Sequence, residues 1–119
     1  MSTLKHLIEV IDLLENPKVC GETVKQFFEK KKLLDTIEIH VEEVSGTTGH
    51  TDFIKIVIPG SRGKQSGGSA PTLGIVGRLG GVGARPVLVG MVSDADGAIV
   101  ALAAAYKIAE MKKRGDVLA

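Results

Sequence analysis

APTLGIVGRLGGVGARPVLVGMVSDADGAIVALAAAYKIAEM, residues 70–111, is the stretch that decides how the chain is read. It runs as strand, glycine-rich turn, strand, acidic corner and helix. Thr72–Gly77 and Val87–Val92 are short runs, apolar apart from Thr72 and glycine, bounded by Pro71, Pro86 and further glycines. Runs of this kind suit central strands buried on both faces of a sheet. The helix expected over Ala98–Met111 is rich in small residues and has a charged end. Ahead of it stand Ser93, Asp94, Ala95, Asp96 and Gly97. Carboxylates at the carboxyl end of a buried strand, just before a helix, occupy the usual ligand position of an open α/β sheet. The site is expected at that corner.

Outward from this stretch, the composition sets bounds. At 119 residues the chain is read as one α/β domain with a single core. Aromatic residues are 3% and Trp is absent, so Val, Ile, Leu and Ala must build that core. A net charge of +1 argues against nucleic acid or an anionic membrane as partner, although a basic face can hide in a balanced total. The single Cys20 excludes an internal disulfide. No apolar run approaches the roughly 20 residues that span a bilayer. Glu9, Asp12 and Glu15 interrupt the first hydrophobic pattern, which is wrong for a signal peptide. A cytoplasmic protein is the expectation.

Toward the N-terminus, Leu4, Leu7, Ile8, Ile11 and Leu14 fall at helical spacing, with Lys5, Glu9, Asp12 and Glu15 opposite. Asn16-Pro17 ends that helix. A second helix is expected over 22–33, opened by Cys20 or Gly21, with Val24, Phe27 and Phe28 as its apolar stripe. Lys30, Lys31 and Lys32 close it where the helix dipole favours cations, a solvated terminus in preference to a nucleic-acid patch. Thr36–Val44 alternates, with Ile37, Ile39 and Val41 on one face and Glu38, His40 and Glu42 on the other. It reads as a half-exposed strand whose partner is Phe53–Ile58. Gly60–Ala70 reads as a surface loop, in which Arg62 and Lys64 offer a second, anion-grasping reading. After the last helix Lys112, Lys113 and Arg114 decorate another C-terminus, with Gly115 as cap. Asp116–Ala119 looks like the opening of a further strand. The domain is therefore expected to be completed by a partner chain, a second copy or downstream sequence.

Three constellations carry the chemistry. Asp94 and Asp96 sit two residues apart in a tight corner, a spacing that serves a divalent cation or a helix cap. Gly77–Gly83, which contains Arg78, Gly80 and Gly81, is glycine-dense but lacks the G-x-G-x-x-G spacing and leads to a strand, so tight turning fits better than nucleotide binding. His50 and Asp52 have the spacing of two metal ligands, but in what reads as a loop of small and polar residues an exposed, unliganded His50 fits better. No nucleophile motif stands out.

With these elements placed, the order resembles the first part of the catalytic domain of dizinc aminopeptidases and deacylases. The matching residues are Asn16–Glu22 after the lead helix, Ile58-Pro59-Gly60 after the strand pair, and Asp94 with Gly97 at the corner. The resemblance implies a three-layer αβα sheet with helices on both faces. It further implies zinc or another divalent cation held by Asp94, with His50 and Asp52 as further candidate ligands, and Asp96 as the catalytic carboxylate. Where that scaffold places His-x-Asp, this chain has Arg78-Leu79-Gly80, and its literal His50-Thr51-Asp52 comes one strand early. The chain also resembles, over longer runs, a bacterial and archaeal family known as domain of unknown function 1177. Those runs are 51–56, 70–75, 77–81 and 93–98. Two functions follow as expectations: a metal-dependent amide or peptide hydrolase part, or a non-catalytic subunit. In the second, Arg78, Gly80 and Gly81 receive an anion such as a peptide-like ligand's carboxylate.

Overall fold

The computed structural model describes residues 3–15, 19–47, 50–63, 67–77 and 96–118. Their order is α1 (Thr3–Leu14), α2 (Gly21–Lys30), β1 (Glu38–Ser45), β2 (His50–Val57) and α3 (Asp96–Lys113). This is a mixed α/β fold.

β1 and β2 form an antiparallel pair, and among the described residues no other strand joins them. The register sets Ile39 opposite Ile56 and Val41 opposite Ile54. These four half-buried side chains share one face, as the alternation required, while Glu38, His40, Phe53 and Lys55 are exposed. β2 starts three residues earlier than expected, so His50 and Asp52 belong to a strand and not to a loop.

α2 is opened by Cys20, whose backbone N–H and thiol both reach the Thr23 hydroxyl at 3.3 Å. It ends at Lys30, three residues short of the expected end. Lys32 adopts φ 59°, and the Leu33 N–H reaches back to the Phe28 carbonyl at 3.1 Å, which closes the helix in a left-handed turn. α3 closes in the same way. Gly115 has φ 106°, and the Asp116 N–H bonds the Met111 carbonyl at 3.0 Å. One turn uses the residue that tolerates positive φ; the other uses lysine.

The core joins Val10 and Leu14 of α1, Val24 and Phe28 of α2, Leu33, Ile37, and Ala98, Ala103, Tyr106 and Ala109 of α3. α1 lies along α3, and α2 lies against the hairpin. The alanines let α3 approach α1 closely, and Tyr106 and Phe28 supply the aromatic bulk of a Trp-free core.

Three expectations are corrected. Thr72–Gly77 is irregular and exposed, with Val76 at 96%, in place of a buried strand. A buried strand must pair its backbone groups on both sides, and this segment pairs with neither β1 nor β2. α1 buries His6, Val10 and Leu14, while Leu4 and Ile8 of the expected apolar stripe are 63% and 50% exposed. Its inward face is set by what α3 offers. Residues 116–118 are irregular, and the Leu118 carbonyl accepts the Ser61 N–H at 2.7 Å and its hydroxyl at 2.9 Å. The expected strand over Val87–Val92 lies outside the described residues.

Candidate functional site: a basic cleft where two helices end

The C-termini of α2 and α3 meet, although 83 residues separate Lys30 from Lys113 in sequence. Each end carries the cations that a helix dipole favours, so their meeting brings Lys31 and Lys32 together with Lys107, Lys113 and Arg114. Between them is a solvent-open cleft of about 350 Å³, lined by Lys31, Leu33, Lys107, Glu110, Met111, Lys113 and Arg114. Four cations face one carboxylate there.

The cations are held in different ways. Lys112 Nζ donates to the carbonyls of Thr36 at 3.1 Å and Pro59 at 2.8 Å, tying α3 to the segments after α2 and β2. Lys113 Nζ donates to the Lys32 carbonyl at 2.6 Å, the residue in the left-handed turn. Neutral carbonyls orient these ammonium groups without cancelling their charge. Arg114, by contrast, is paired with Asp116 at 2.8 Å.

Behind the cleft a polar network crosses the core. His6 is fully buried, and its Nε2 lies 2.6 Å from Glu110 Oε1. Its ring meets Tyr106 edge to face at 4.5 Å. The Tyr106 hydroxyl donates to Glu9, which also pairs with Lys31 at 3.2 Å. Lys31 Nζ stands 5.6 Å from the Phe27 ring centre and 5.8 Å from that of Tyr106. Burial raises the Glu9 carboxyl, but the Tyr106 hydroxyl, Lys31 and Lys5 outweigh it and hold the group below the ordinary carboxylate value. Burial, then the bond to Glu9 and the charges of Glu110 and Glu9, push the Tyr106 phenol well above its ordinary value. Among the described residues no buried side-chain nitrogen or oxygen lacks a partner.

The residues singled out from sequence fare differently. Arg78, Gly80, Gly81 and Asp94 lie outside the described residues. Asp96 opens α3, two residues before the expected start, and His50 opens β2; neither side chain is among those described. Asp52 is placed, and its Oδ2 accepts the Gly21 N–H at 2.6 Å, an orphan amide of the first turn of α2. A side chain at Gly21 would overlap Val41 and crowd Asp52, so glycine lets the helix start sit directly on the hairpin. At Gly77 an added Cβ would overlap the Gly97 carbonyl, so the segment before Arg78 touches the first turn of α3. Cys20 is exposed, its thiol lowered by the Thr23 hydroxyl and then by the Thr23 N–H. No three His, Cys, Asp or Glu side chains converge as a metal-binding group among the described residues.

His6, Glu9, Tyr106 and Glu110 were not legible as a group. The signal that would have found them is the four-residue step His6, Val10, Leu14, which places a histidine in phase with buried aliphatics.

Among the described residues no helix is long and apolar enough to cross a membrane. A family model described as "Protein of unknown function (DUF1177)" matches residues 42–119. No curated protein and no solved structure matches the chain.

Proposed function

The chain belongs to the DUF1177 family of proteins of unknown function, and from that premise we propose that it is a non-catalytic binding subunit for a phosphate-bearing small molecule. The observation that carries this reading is the basic cleft between the ends of α2 and α3, whose lining holds four cations and one carboxylate, with Lys31 and Arg114 paired to Glu9 and Asp116 beside it. Lysines act as point charges toward phosphate. Lys113, oriented by a neutral carbonyl, keeps its charge for a ligand. The expected partner is a compact multivalent anion. The test is calorimetric titration with inorganic pyrophosphate at low salt, on the parent and on a Lys107→Glu/Lys113→Glu double variant. Binding that weakens with added salt and disappears in the variant supports the reading. A parent that takes up no pyrophosphate at millimolar concentration contradicts it.

The approach of Gly77 to Gly97 favours a second reading. It brings the chain just before Arg78 to the residue just after Asp96, two positions that the zinc-peptidase-like resemblance assigns to its site. On this reading the hairpin and helices are part of a three-layer αβα sheet. Asp94 and His50 would hold a divalent cation, which would supply an activated water for amide hydrolysis, and Asp96 would stand beside it. Asp52 fits that set poorly, since one of its oxygens is engaged with the Gly21 amide. A zinc titration of the parent, Asp94→Asn and Asp96→Asn separates the roles: loss in Asp94→Asn alone supports this reading, and no uptake by the parent removes it.

A further inference from the structure

Among the described residues, α1 has one face covered by the core and one exposed. His6, Val10 and Leu14 are buried against the core, whereas Leu4 and Ile8 are 63% and 50% exposed. With half-buried Ile11 they make an apolar stripe at steps of four and three residues, the spacing of a seam between two helices. Lys5 and Asp12, both exposed and seven residues apart, flank the stripe on the same side. We infer that this stripe is a self-association surface, on which α1 packs antiparallel against α1 of a second copy of this chain.

The charges select that occupant and that orientation. In an antiparallel pair related by a twofold axis, the same flank of each helix faces its counterpart with its ends exchanged. Lys5 then lies beside Asp12 of the second copy, and Asp12 beside its Lys5. In a parallel pair the twofold axis runs along the helices and puts the two Lys5–Asp12 flanks on opposite sides of the seam, so these charges do not meet. Lys5 also acts on Glu9 within its own helix, which does not prevent it from reaching across an interface. A 12-residue helix is about 18 Å long at 1.5 Å per residue, so this seam by itself is smaller than a standard interface. The dimer is therefore weak and concentration-dependent.

Sedimentation equilibrium over micromolar to millimolar concentrations tests this with charge reversals at two exposed positions, each variant checked for parental circular dichroism. The parent dimerises reversibly. Lys5→Glu and Asp12→Lys each weaken the dimer by roughly three- to thirty-fold, the combined effect of two exposed ion pairs. The double variant Lys5→Glu/Asp12→Lys restores parental affinity because both pairs re-form with signs exchanged. Ile8→Glu abolishes association while leaving the circular dichroism spectrum unchanged. A monomeric parent at millimolar concentration overturns the inference. So does a double variant no tighter than its singles, or a set of variants that all associate like the parent.

Discussion

His6 and Glu110, 104 residues apart in the chain, meet at 2.6 Å beneath the edge of the basic cleft. The contact fastens the second turn of α1 to the penultimate turn of α3 and fills a fully buried position with a polar ring. Removing the imidazole leaves both a void and a carboxylate without its partner. His6→Ala is expected to lose about 2–4 kcal/mol in urea unfolding. Glu110→Gln, which keeps the shape and an acceptor, is expected to lose less than half as much. Equal losses would mean that the charge of Glu110, and not the packing of the ring, dominates.

The Tyr106–Glu9 bond makes stability depend on pH at both ends. The Glu9 carboxyl is held below its ordinary value in the fold, so its contribution is complete above about pH 4.5 and is lost as pH falls through the lowered value. The Tyr106 phenol is raised, so its contribution is complete below about pH 10 and is lost as pH climbs from there toward the raised value. Tyr106→Phe removes the proton that titrates. It is expected to be less stable than the parent at pH 7 by about 1.5–3 kcal/mol, the range for a hydrogen bond to a charged group. The gap should narrow above pH 10. A constant difference across pH 7–11 in thermal unfolding would contradict the assignment.

How much of this was legible in the sequence depends on what fixes each element. The hairpin was readable because alternation at Ile37, Ile39 and Val41 depends on one face alone, and the register set Ile54 and Ile56 opposite. α2 was readable for the same local reason, with Val24 and Phe28 buried as expected. α1 was found, but its inward face was not. Leu4 and Ile8 outscore His6 in hydrophobicity, and it is Glu110 and Tyr106, from a helix some 90 residues on, that help make His6 a good core residue. Thr72–Gly77 shows the converse. An apolar run becomes a buried strand only if strands flank it, and neither strand of the described hairpin pairs with this one. The cleft was hidden because each lysine cluster has a sufficient local explanation at its own helix end; only the fold brings the two together.

The junction of α2 with the hairpin offers a direct packing test. Gly21→Ala drives a methyl group into Val41 and against the carboxylate of Asp52. The expected loss is about 1–3 kcal/mol. Asp52→Ala, which only strips the Gly21 amide of its acceptor, should lose about 1 kcal/mol. Both are measured by chemical denaturation. An unchanged Gly21→Ala would show that α2 does not sit so close to β1.

Lys32 is a lysine doing a glycine's task. Its φ of 59° lies in the left-handed region, and the equivalent position after α3 is Gly115. Lys32→Gly is expected to raise stability by roughly 0.5–1 kcal/mol through relief of that strain, since the Lys32 carbonyl that receives Lys113 is retained. A rise in thermal midpoint of a few degrees would be the sign. A fall would mean that the ammonium of Lys32 contributes more than its backbone costs.

The proposed site itself is best tested by mapping. An isotope-labelled chain titrated with inorganic pyrophosphate is followed by amide and methyl chemical shifts. The basic-cleft account predicts dose-dependent changes centred on Leu33, Lys107, Met111 and Arg114, which lie around the meeting point of α2 and α3. They should saturate together and vanish in Lys107→Glu/Lys113→Glu. Changes centred instead on Gly77, Gly97 and Ala98, or none at all up to millimolar pyrophosphate, would contradict it.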